Sequence, residues 1–374
     1  MMNNNELVGW LTAYGNPTIK YRTITELTDN PPNLDNLVDG LLRVKAVNSL
    51  LQRLECYGPI QTVDSGTLNS IHTGAGVEGI LAKLIELGMK SGIYVFDSRM
   101  QIFRQYVDNV FVRKALSSPG GRDVANNRAV FIAVLLASYF VHAGYEYDEI
   151  ISFIKERINL LYRIASDKQF SIHLSDTELL DYPKRPKSWT AHPVIRPEHD
   201  PGCCEKPLPL IHDIFCLAYL PKAFIDKDLE NKIDIIIEYV LKERFQALPQ
   251  GYGLLWYKSN RTYYACGWRP EIPCLHNFDS EYEKNILVLY MDLMSNFKVA
   301  RESKWFQNCL NYLEKFRTHN GTYCFPPHLI KDTKNMGYVC GMSMGLGENR
   351  KLEKAYEIES TFRMLLIKKR LNTL

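Results

Sequence analysis

The chain has 374 residues, of which 46% are hydrophobic and 23% are charged. These are ordinary values for a folded globular protein, and they exclude wholesale disorder. The formal net charge is +3 and both signs are interspersed, so the sequence lacks the basic patch that nucleic-acid binding requires. A chain of this length predicts either two domains or one large repetitive domain.

The cysteines and the first residues predict a cytoplasmic protein. The opening MMNNNELVGW has no basic segment followed by an apolar run, so no signal peptide is predicted. The nine cysteines follow no regular framework, and we expect most of them to be reduced core residues. The longest apolar run, 129–141, is shorter than the roughly 20 residues that a membrane crossing needs.

Residues 1–60 predict N-terminal helices. Asn16-Pro17 is a helix-start signal, and apolar residues follow it at helical spacing until Asn30-Pro31-Pro32 breaks the pattern. The next stretch, 34–54, has apolar residues at helical spacing, so the whole segment predicts short helices.

From His72 onwards a helical hairpin recurs. Each copy has a mostly apolar helix, a turn with Gly or Pro, and an amphipathic helix. The predicted pairs are 72–87 with 106–116, 126–143 with 149–164, 207–220 with 229–245, and 281–297 with 305–316, and a last helix covers 357–371.

The alternation of these two helix types predicts an all-α fold, an α/α toroid of nested helical rings. An all-apolar helix must be surrounded by protein, whereas an amphipathic helix faces water. We therefore expect one domain over 1–374, with strand-like alternation confined to short loops such as 321–326. The seven prolines of 182–209 predict one long loop across an end of the barrel, and loops of that length are often functional.

Three segments resemble a known group of proteins. They are WLTAYGNPTIKYRTITEL (10–27), THNGTYCF (318–325), and the tail from Gly337 to Arg370. All three are similar to bacterial prenyltransferase-like or squalene-cyclase-like proteins of the terpenoid cyclase/protein prenyltransferase superfamily. The resemblance implies the α/α toroid and a central cavity for a small or isoprenoid-like molecule.

The motifs that carry the chemistry of that superfamily are absent from the sequence. There is no DxDD motif, no DDxxD motif, and no DxC element for zinc. Asp226 and Asp228 are the nearest acidic pair, and we expect them to be surface charge beside a solvated helix. The resemblance therefore implies a fold and a ligand class, without a known route of cyclisation or prenylation.

The first candidate cluster lies around the start of the third hairpin. Cys204, His212 and Cys216 have the ligand chemistry of zinc, and His212 and Cys216 share a helix face. The same three residues would also occur in a buried helix for packing alone, and we favour this packing role over zinc binding. His212 with Asp213 is an alternative acid–base pair. No other cofactor is indicated.

The second candidate cluster precedes the fourth apolar helix. A carboxylate three residues away can hold one imidazole tautomer, so His276 with Asp279 could act as an oriented general base. Asp279 and Ser280 followed by Glu283 also fit a helix-capping arrangement, which we favour.

Aromatic residues give a third set of candidates. Sugar-binding barrels and terpene cyclases both line their pockets with such side chains, so we expect ligand contacts from Trp256, Tyr264, Trp268, Tyr323 and Tyr338.

Three functions remain open at this point. The leading one is binding of a small or isoprenoid-like ligand in a central cavity, with any catalysis assigned to His276 and Asp279 or to His212 and Asp213. The second is a carbohydrate-active hydrolase or lyase that uses Asp or Glu as the acid. The third is a non-catalytic scaffold that binds a protein partner. A fold alone does not decide among them.

Overall fold

The computed structural model describes residues 2–29, 34–56, 76–117, 124–333 and 337–372. These residues are mostly helical, with a small share of strand, so the predicted all-α class is confirmed. In the described ranges, no helix combines the length and the apolar character that a membrane crossing requires.

The described ranges contain α-helices in both the first and the second half of the sequence. In chain order they are α1 (Asn4–Tyr14), α2 (Pro17–Arg22), α3 (Asp35–Leu42), α4 (Lys45–Glu55), α5 (Val77–Glu86), α6 (Tyr94–Arg104), α7 (Val110–Ser117), α8 (Val124–His142), α9 (Asp148–Ser166), α10 (Ile211–Tyr219), α11 (Lys227–Leu241), α12 (Glu243–Gln246), α13 (Glu281–Lys284), α14 (Leu287–Met294), α15 (Lys298–Arg301), α16 (Lys304–Glu314) and α17 (Ala355–Arg370).

Shorter elements connect these helices. A π-helix (Thr23–Leu27) continues α2, and 3₁₀ turns cover Glu178–Asp181, Lys187–Trp189, Pro197–His199, Lys222–Phe224, Pro327–Ile330 and Tyr338–Cys340. The strands β1 (Gly253–Tyr257) and β2 (Thr262–Cys266) form one antiparallel hairpin, with Gly253 opposite Cys266 and Tyr257 opposite Thr262.

The chain divides into two compact units. Unit 1 contains residues 1–100 and 273–374, and unit 2 contains residues 101–272. The two units are described separately below. The single domain over 1–374 stays a prediction.

Unit 1 joins the first helices to the last one. Leu7 and Leu11 of α1 pack with Phe362 and Leu365 of α17 in one buried cluster. Full burial of each of these side chains contributes about 1.5–3 kcal/mol. The helix-start signal is confirmed at Asn16, whose Oδ1 accepts a hydrogen bond from the Ile19 amide at 2.9 Å.

Buried charges in unit 1 are paired. Glu86 is 1% exposed and accepts hydrogen bonds from Arg363 Nη2 at 2.8 Å and from the Tyr338 hydroxyl at 2.5 Å. Arg22 donates from Nε and Nη2 to Glu26 at 2.8 and 2.9 Å. Although burial opposes its charge, the Arg22 guanidinium holds the pKa of Glu26 well below its usual range.

The helical spacing over 34–54 is confirmed, and it is divided between two elements. The structure has two helices, α3 and α4, which end and begin on either side of Arg43-Val44. Val44 has extended backbone angles there, so the chain changes direction although the apolar spacing continues. The predicted helix 72–87 begins at Val77, and its first four residues lie outside the described ranges.

Unit 2 contains two predicted hairpins, and both are confirmed. The apolar helix α8 is followed by the amphipathic α9, and the apolar α10 is followed by the amphipathic α11. Apolar α8 packs mainly against apolar α10, while α9 packs mainly against α11. In unit 2, apolar helices therefore pack mainly against apolar helices and amphipathic helices against amphipathic ones.

The β1–β2 hairpin corrects the prediction that strand-like sequence is confined to short loops. The segments GLLWY and TYYAC are rich in β-branched or aromatic residues, which suit a pleated surface. The amide of Leu254 donates to the Pro193 carbonyl, and the Ile195 amide donates to the Leu254 carbonyl, each at 2.8 Å. These bonds attach the proline-rich segment 182–209 to β1.

All nine cysteines are free thiols, and five of them are buried. The expectation that most of them lie in the core is confirmed, and their reduced state stays a prediction. The predicted surface roles of the acidic pair are also confirmed, because Asp226 caps α11 through the Leu229 amide and Asp228 pairs with Lys232 in solvent.

Candidate functional site

A buried aspartate in unit 2 lies on a turn that follows the 3₁₀ turn Pro197–His199. The sequence Asp200-Pro201-Gly202 favours a turn, because Pro fixes φ and the Asp side chain bonds the backbone two residues later. The Gly202 amide donates to Asp200 Oδ1 at 2.8 Å, and the Cys203 amide donates to the Asp200 carbonyl at 2.9 Å.

Two side chains from other elements reach the same carboxyl group. Asn127 of α8 donates from Nδ2 to Asp200 Oδ2 at 2.6 Å, and the Tyr257 hydroxyl at the end of β1 donates to the same oxygen at 2.5 Å. Asp200 is 5% exposed and Asn127 is 4% exposed. One carboxyl group thus joins a helix, a strand and a loop.

The close approach of the turn to α8 depends on glycine. A Cβ atom on Gly202 would lie 2.7 Å from both the Cα and the carbonyl oxygen of Asn127. Because these are backbone atoms, they cannot rotate away as a side chain would. Glycine at this position lets Asp200 reach Asn127.

Burial raises the pKa of Asp200 above its usual value, although its hydrogen bonds and Arg157 oppose the shift. Within the described ranges, its polar partners are an amide, a phenol and a backbone N–H rather than a cation. Oδ2 accepts two of the three hydrogen bonds and Oδ1 accepts the third. Because burial raises the pKa, the group keeps its proton to a higher pH than an exposed aspartate does, and a protonated carboxyl group can donate a hydrogen bond or a proton to a ligand.

Asp200 lies in the wall of a narrow cleft, which we call the Asp200 cleft. Its other lining residues are Tyr182, Ile195, Pro197, Leu255, Trp256 and Tyr257. The open space inside is about 10 Å³, which accommodates about one water molecule. Tyr182 also lines a larger groove of about 410 Å³, so the two spaces adjoin at this residue.

The predicted acid–base pair of His212 and Asp213 is placed in the interior of unit 2. Both residues are 1% exposed. Arg157 donates to both oxygens of Asp213, at 2.9 and 3.1 Å, and the Leu210 amide donates to Asp213 Oδ2 at 2.7 Å. Asp213 therefore caps α10 and neutralises a buried arginine, and its oxygens are occupied by these contacts.

The zinc candidates are not assembled into a site. Among the residues that the structure describes, no group of three or more His, Cys, Asp or Glu side chains is placed to hold a metal ion. Burial raises the pKa of Cys216 well above its usual value, which opposes the thiolate that a metal needs. Cys204, His212 and Cys216 thus act as packing residues in this structure.

His276 and Asp279 are both exposed to solvent in unit 1. The favoured capping interpretation is confirmed next to them, because the Glu283 amide donates to Ser280 Oγ at 3.3 Å. The Glu283 side chain accepts from the Cys274 amide at 2.6 Å. The local contacts therefore organise the start of α13, and the proposed general base lies in open solvent.

The predicted aromatic set is divided between the two units. In unit 2, Trp256 and Tyr264 lie on the hairpin, and the Arg128 guanidinium lies 4.7 Å above the Tyr264 ring. Trp268 lies against His212, with ring centroids 5.5 Å apart. Of this unit's three candidates, Trp256 is the one that lines the Asp200 cleft.

The other two aromatic candidates are buried in unit 1 and use their hydroxyl groups internally. The Tyr323 hydroxyl donates to Glu314 at 2.8 Å, and the Tyr338 hydroxyl donates to Glu86. Both side chains are 1% exposed. They complete hydrogen-bond networks in the core of unit 1.

Sequence reasoning missed Asp200, Asn127 and Tyr182. The Asp-Pro-Gly turn is visible in the sequence, but nothing in the spacing shows that its aspartate is buried. Comparison of the chain with protein-family models, with curated proteins and with solved structures finds no match. The function is therefore inferred from the geometry.

Proposed function

We propose that this chain binds a small, isoprenoid-like molecule in unit 2, with the polar or unsaturated end of the ligand at Asp200. The observation that carries the proposal is a buried carboxyl group that makes no ion pair in the described ranges and lies in the wall of an aromatic cleft. Buried carboxyl groups with a raised pKa are frequent at functional sites.

The contrast with Asp213 supports this choice. Asp213 is as deeply buried, but its charge is matched by Arg157 in a two-bond ion pair. Asp200 has no such match, so burial acts against its charged form and favours the proton-bearing form. Of these two aspartates, Asp200 is therefore the one suited to donate to a ligand.

The aromatic neighbours supply the apolar part of the site. Trp256 and Tyr182 are half-buried, so part of each ring faces the open space. Aromatic faces pack well against hydrocarbon and stabilise nearby positive charge. Because the Asp200 cleft has room for about one water molecule, we place the body of the ligand in the adjoining groove, where Leu179, Tyr182 and Tyr263 provide apolar surface.

The α/α toroid of the terpenoid cyclase and prenyltransferase type is part of the same proposal. Its support is the packing in unit 2 of apolar α8 with apolar α10 and of amphipathic α9 with amphipathic α11. Nested rings of helices require this segregation. The cytoplasmic location predicted from the reduced cysteines also belongs to the proposal.

The test is a direct binding measurement with the whole chain. We expect farnesol, an isoprenoid alcohol, to quench tryptophan fluorescence, and we expect Asp200→Asn and Tyr182→Ala each to weaken its binding at least tenfold. Asp181→Asn and Tyr94→Ala are matched controls at exposed positions and should change the affinity less than twofold.

Other outcomes would contradict the proposal. Binding of a short oligosaccharide in place of farnesol, with the same sensitivity to Tyr182→Ala, would support the carbohydrate-active alternative. Binding of neither ligand would remove the small-molecule function and leave the protein-binding scaffold.

A further inference from the structure

The groove next to the Asp200 cleft is strongly basic. It lies between the segment 179–190 and strand β2, and we call it the basic groove. Its lining contains three cationic side chains and no acidic one; the residues are Leu179, Tyr182, Pro183, Lys184, Arg185, Lys187, Thr190 and Tyr263.

The three cations have no anionic partner in the part of the chain that the structure describes. No carboxylate there lies within ion-pair distance of Lys184, Arg185 or Lys187. Two acidic residues precede the cations closely in sequence. Glu178 is held by Arg196 and by Ser175, and the exposed Asp181 makes no ion pair with the three cations. Three like charges around one groove repel one another, and a bound anion would relieve this repulsion.

The groove is built rather than formed by loose side chains. The Tyr263 hydroxyl donates to the Pro183 carbonyl at 2.7 Å and fixes the segment to β2. Arg185 Nη1 donates to the His192 carbonyl at 2.7 Å, which holds the guanidinium in place. Trp189 packs into the apolar cluster of Val194, Leu254 and Tyr263 beneath the segment. An anion would therefore meet a backbone segment and a guanidinium that are already positioned, with the Lys184 and Lys187 side chains exposed on the same segment.

We propose that the basic groove binds a phosphate group, in the form of a phosphate monoester or a diphosphate. A guanidinium and two ammonium groups match the charge of such a group, and the remaining N–H groups of Arg185 can bond two of its oxygens. This inference deepens the proposed function, on which it rests for the rest of the ligand: the phosphate would lie beside Lys184, Arg185 and Lys187, and the apolar body would lie along Leu179, Tyr182 and Tyr263 of the same groove.

Inorganic pyrophosphate is the probe, because it isolates the anion from the apolar part. We expect calorimetry at low salt to show binding to the whole chain, and Lys184→Gln with Lys187→Gln to weaken it at least tenfold. The matched control is Lys222→Gln with Lys227→Gln, which removes the same charge from exposed positions of the same unit and should change the affinity less than twofold.

The source of the phosphate is decided by a second measurement. Binding of pyrophosphate in solution indicates a soluble phosphate ester, whereas binding to vesicles that contain phosphatidic acid, without binding of pyrophosphate, indicates a lipid headgroup. Both results support a phosphate site.

Two results would overturn the inference: an absence of binding to pyrophosphate and to the vesicles, or an equal loss of affinity in both double variants. The outcome is separable from that of the farnesol experiment. Pyrophosphate binding without farnesol binding would support the phosphate site and contradict the isoprenoid-like ligand. Farnesol binding without pyrophosphate binding would support the isoprenoid-like ligand and contradict the phosphate site.

Discussion

The buried ion pair of Arg157 and Asp213 allows a quantitative test of the conclusion that Asp213 is structural. The two side chains are 3% and 1% exposed and share two hydrogen bonds. Asp213→Asn removes the negative charge and keeps an oxygen that can still cap the Leu210 amide. Arg157 would then remain charged and buried without its partner.

The expected cost follows from that uncompensated charge. Breaking one side of a buried ion pair typically costs about 3–5 kcal/mol, so the free energy of unfolding should fall by this amount. Arg157→Met alone should cost a similar amount, because it leaves a buried carboxylate. The double variant with Arg157→Met and Asp213→Asn has no buried charge at this position and should be more stable than either single variant.

Urea unfolding at neutral pH, followed by circular dichroism, measures the three free energies. Hydrogen exchange over α9 and α10 shows whether the loss is local to the pair. If the two losses were additive, the double variant would lose the sum of both; we expect it to lose less than that sum by about 3 kcal/mol or more. A loss below about 1 kcal/mol in Asp213→Asn, or purely additive losses, would refute the structural role and return Asp213 to the list of catalytic candidates.

Three further predictions concern the site and unit 1. Gly202→Ala should cost about 1–3 kcal/mol and weaken farnesol binding, because the added methyl group separates Asp200 from Asn127; unchanged binding would contradict this. The natural chain should lose stability as pH rises from about 4, the pKa of Asp200 in the unfolded chain, to the raised pKa of Asp200 in the folded chain. Asp200→Asn lacks this titration, so its stability relative to the natural chain should increase over the same range. Urea unfolding of both proteins at pH 4 and pH 7 measures the change, and a relative decrease would contradict it. Tyr338→Phe should cost about 1.5–3 kcal/mol, because Glu86 loses a hydrogen bond, and should leave farnesol affinity unchanged; a selective loss of affinity would restore Tyr338 as a ligand contact.

Helix type was the feature most readily predicted from the sequence. The apolar run 129–141 and the amphipathic pattern 149–164 became α8 and α9, because burial selects residues by periodicity and these periods are unambiguous. The caps at Asn16 and Ser280 were also predicted, since capping depends on local side-chain oxygens.

Other features depend on contacts that periodicity does not report. The break at Val44 interrupts an apolar pattern that remains regular on both sides of it. The strands GLLWY and TYYAC are stable as a hairpin partly because Pro193 and Ile195 add hydrogen bonds to β1 from a distant segment. Strand preference is strongly set by such neighbours, so the short runs gave too weak a signal.

The candidate site was the least predictable part. Histidine and aspartate are common catalytic residues, which made His212 and Asp213 candidates. Asp213 is instead paired with Arg157, which lies 56 residues away in sequence. Asp200 makes no ion pair in the described ranges, and its side-chain partners Asn127 and Tyr257 come from α8 and β1. Chemistry of this kind depends on tertiary neighbours rather than on spacing along the chain.

The connection of Asn16 to the end of the chain has a consequence during synthesis. Its amide donates to Glu348, 332 residues later, and its side chain donates to the Leu346 carbonyl. At ribosomal speeds of about 5–20 residues per second, the first helices wait roughly 17–66 s for these partners. Residues 101–272 are by then a complete continuous stretch. Leu7 and Leu11 therefore lack their partners Phe362 and Leu365 until the ribosome has synthesised the last helix, and exposed apolar side chains of this kind favour aggregation in a nascent chain.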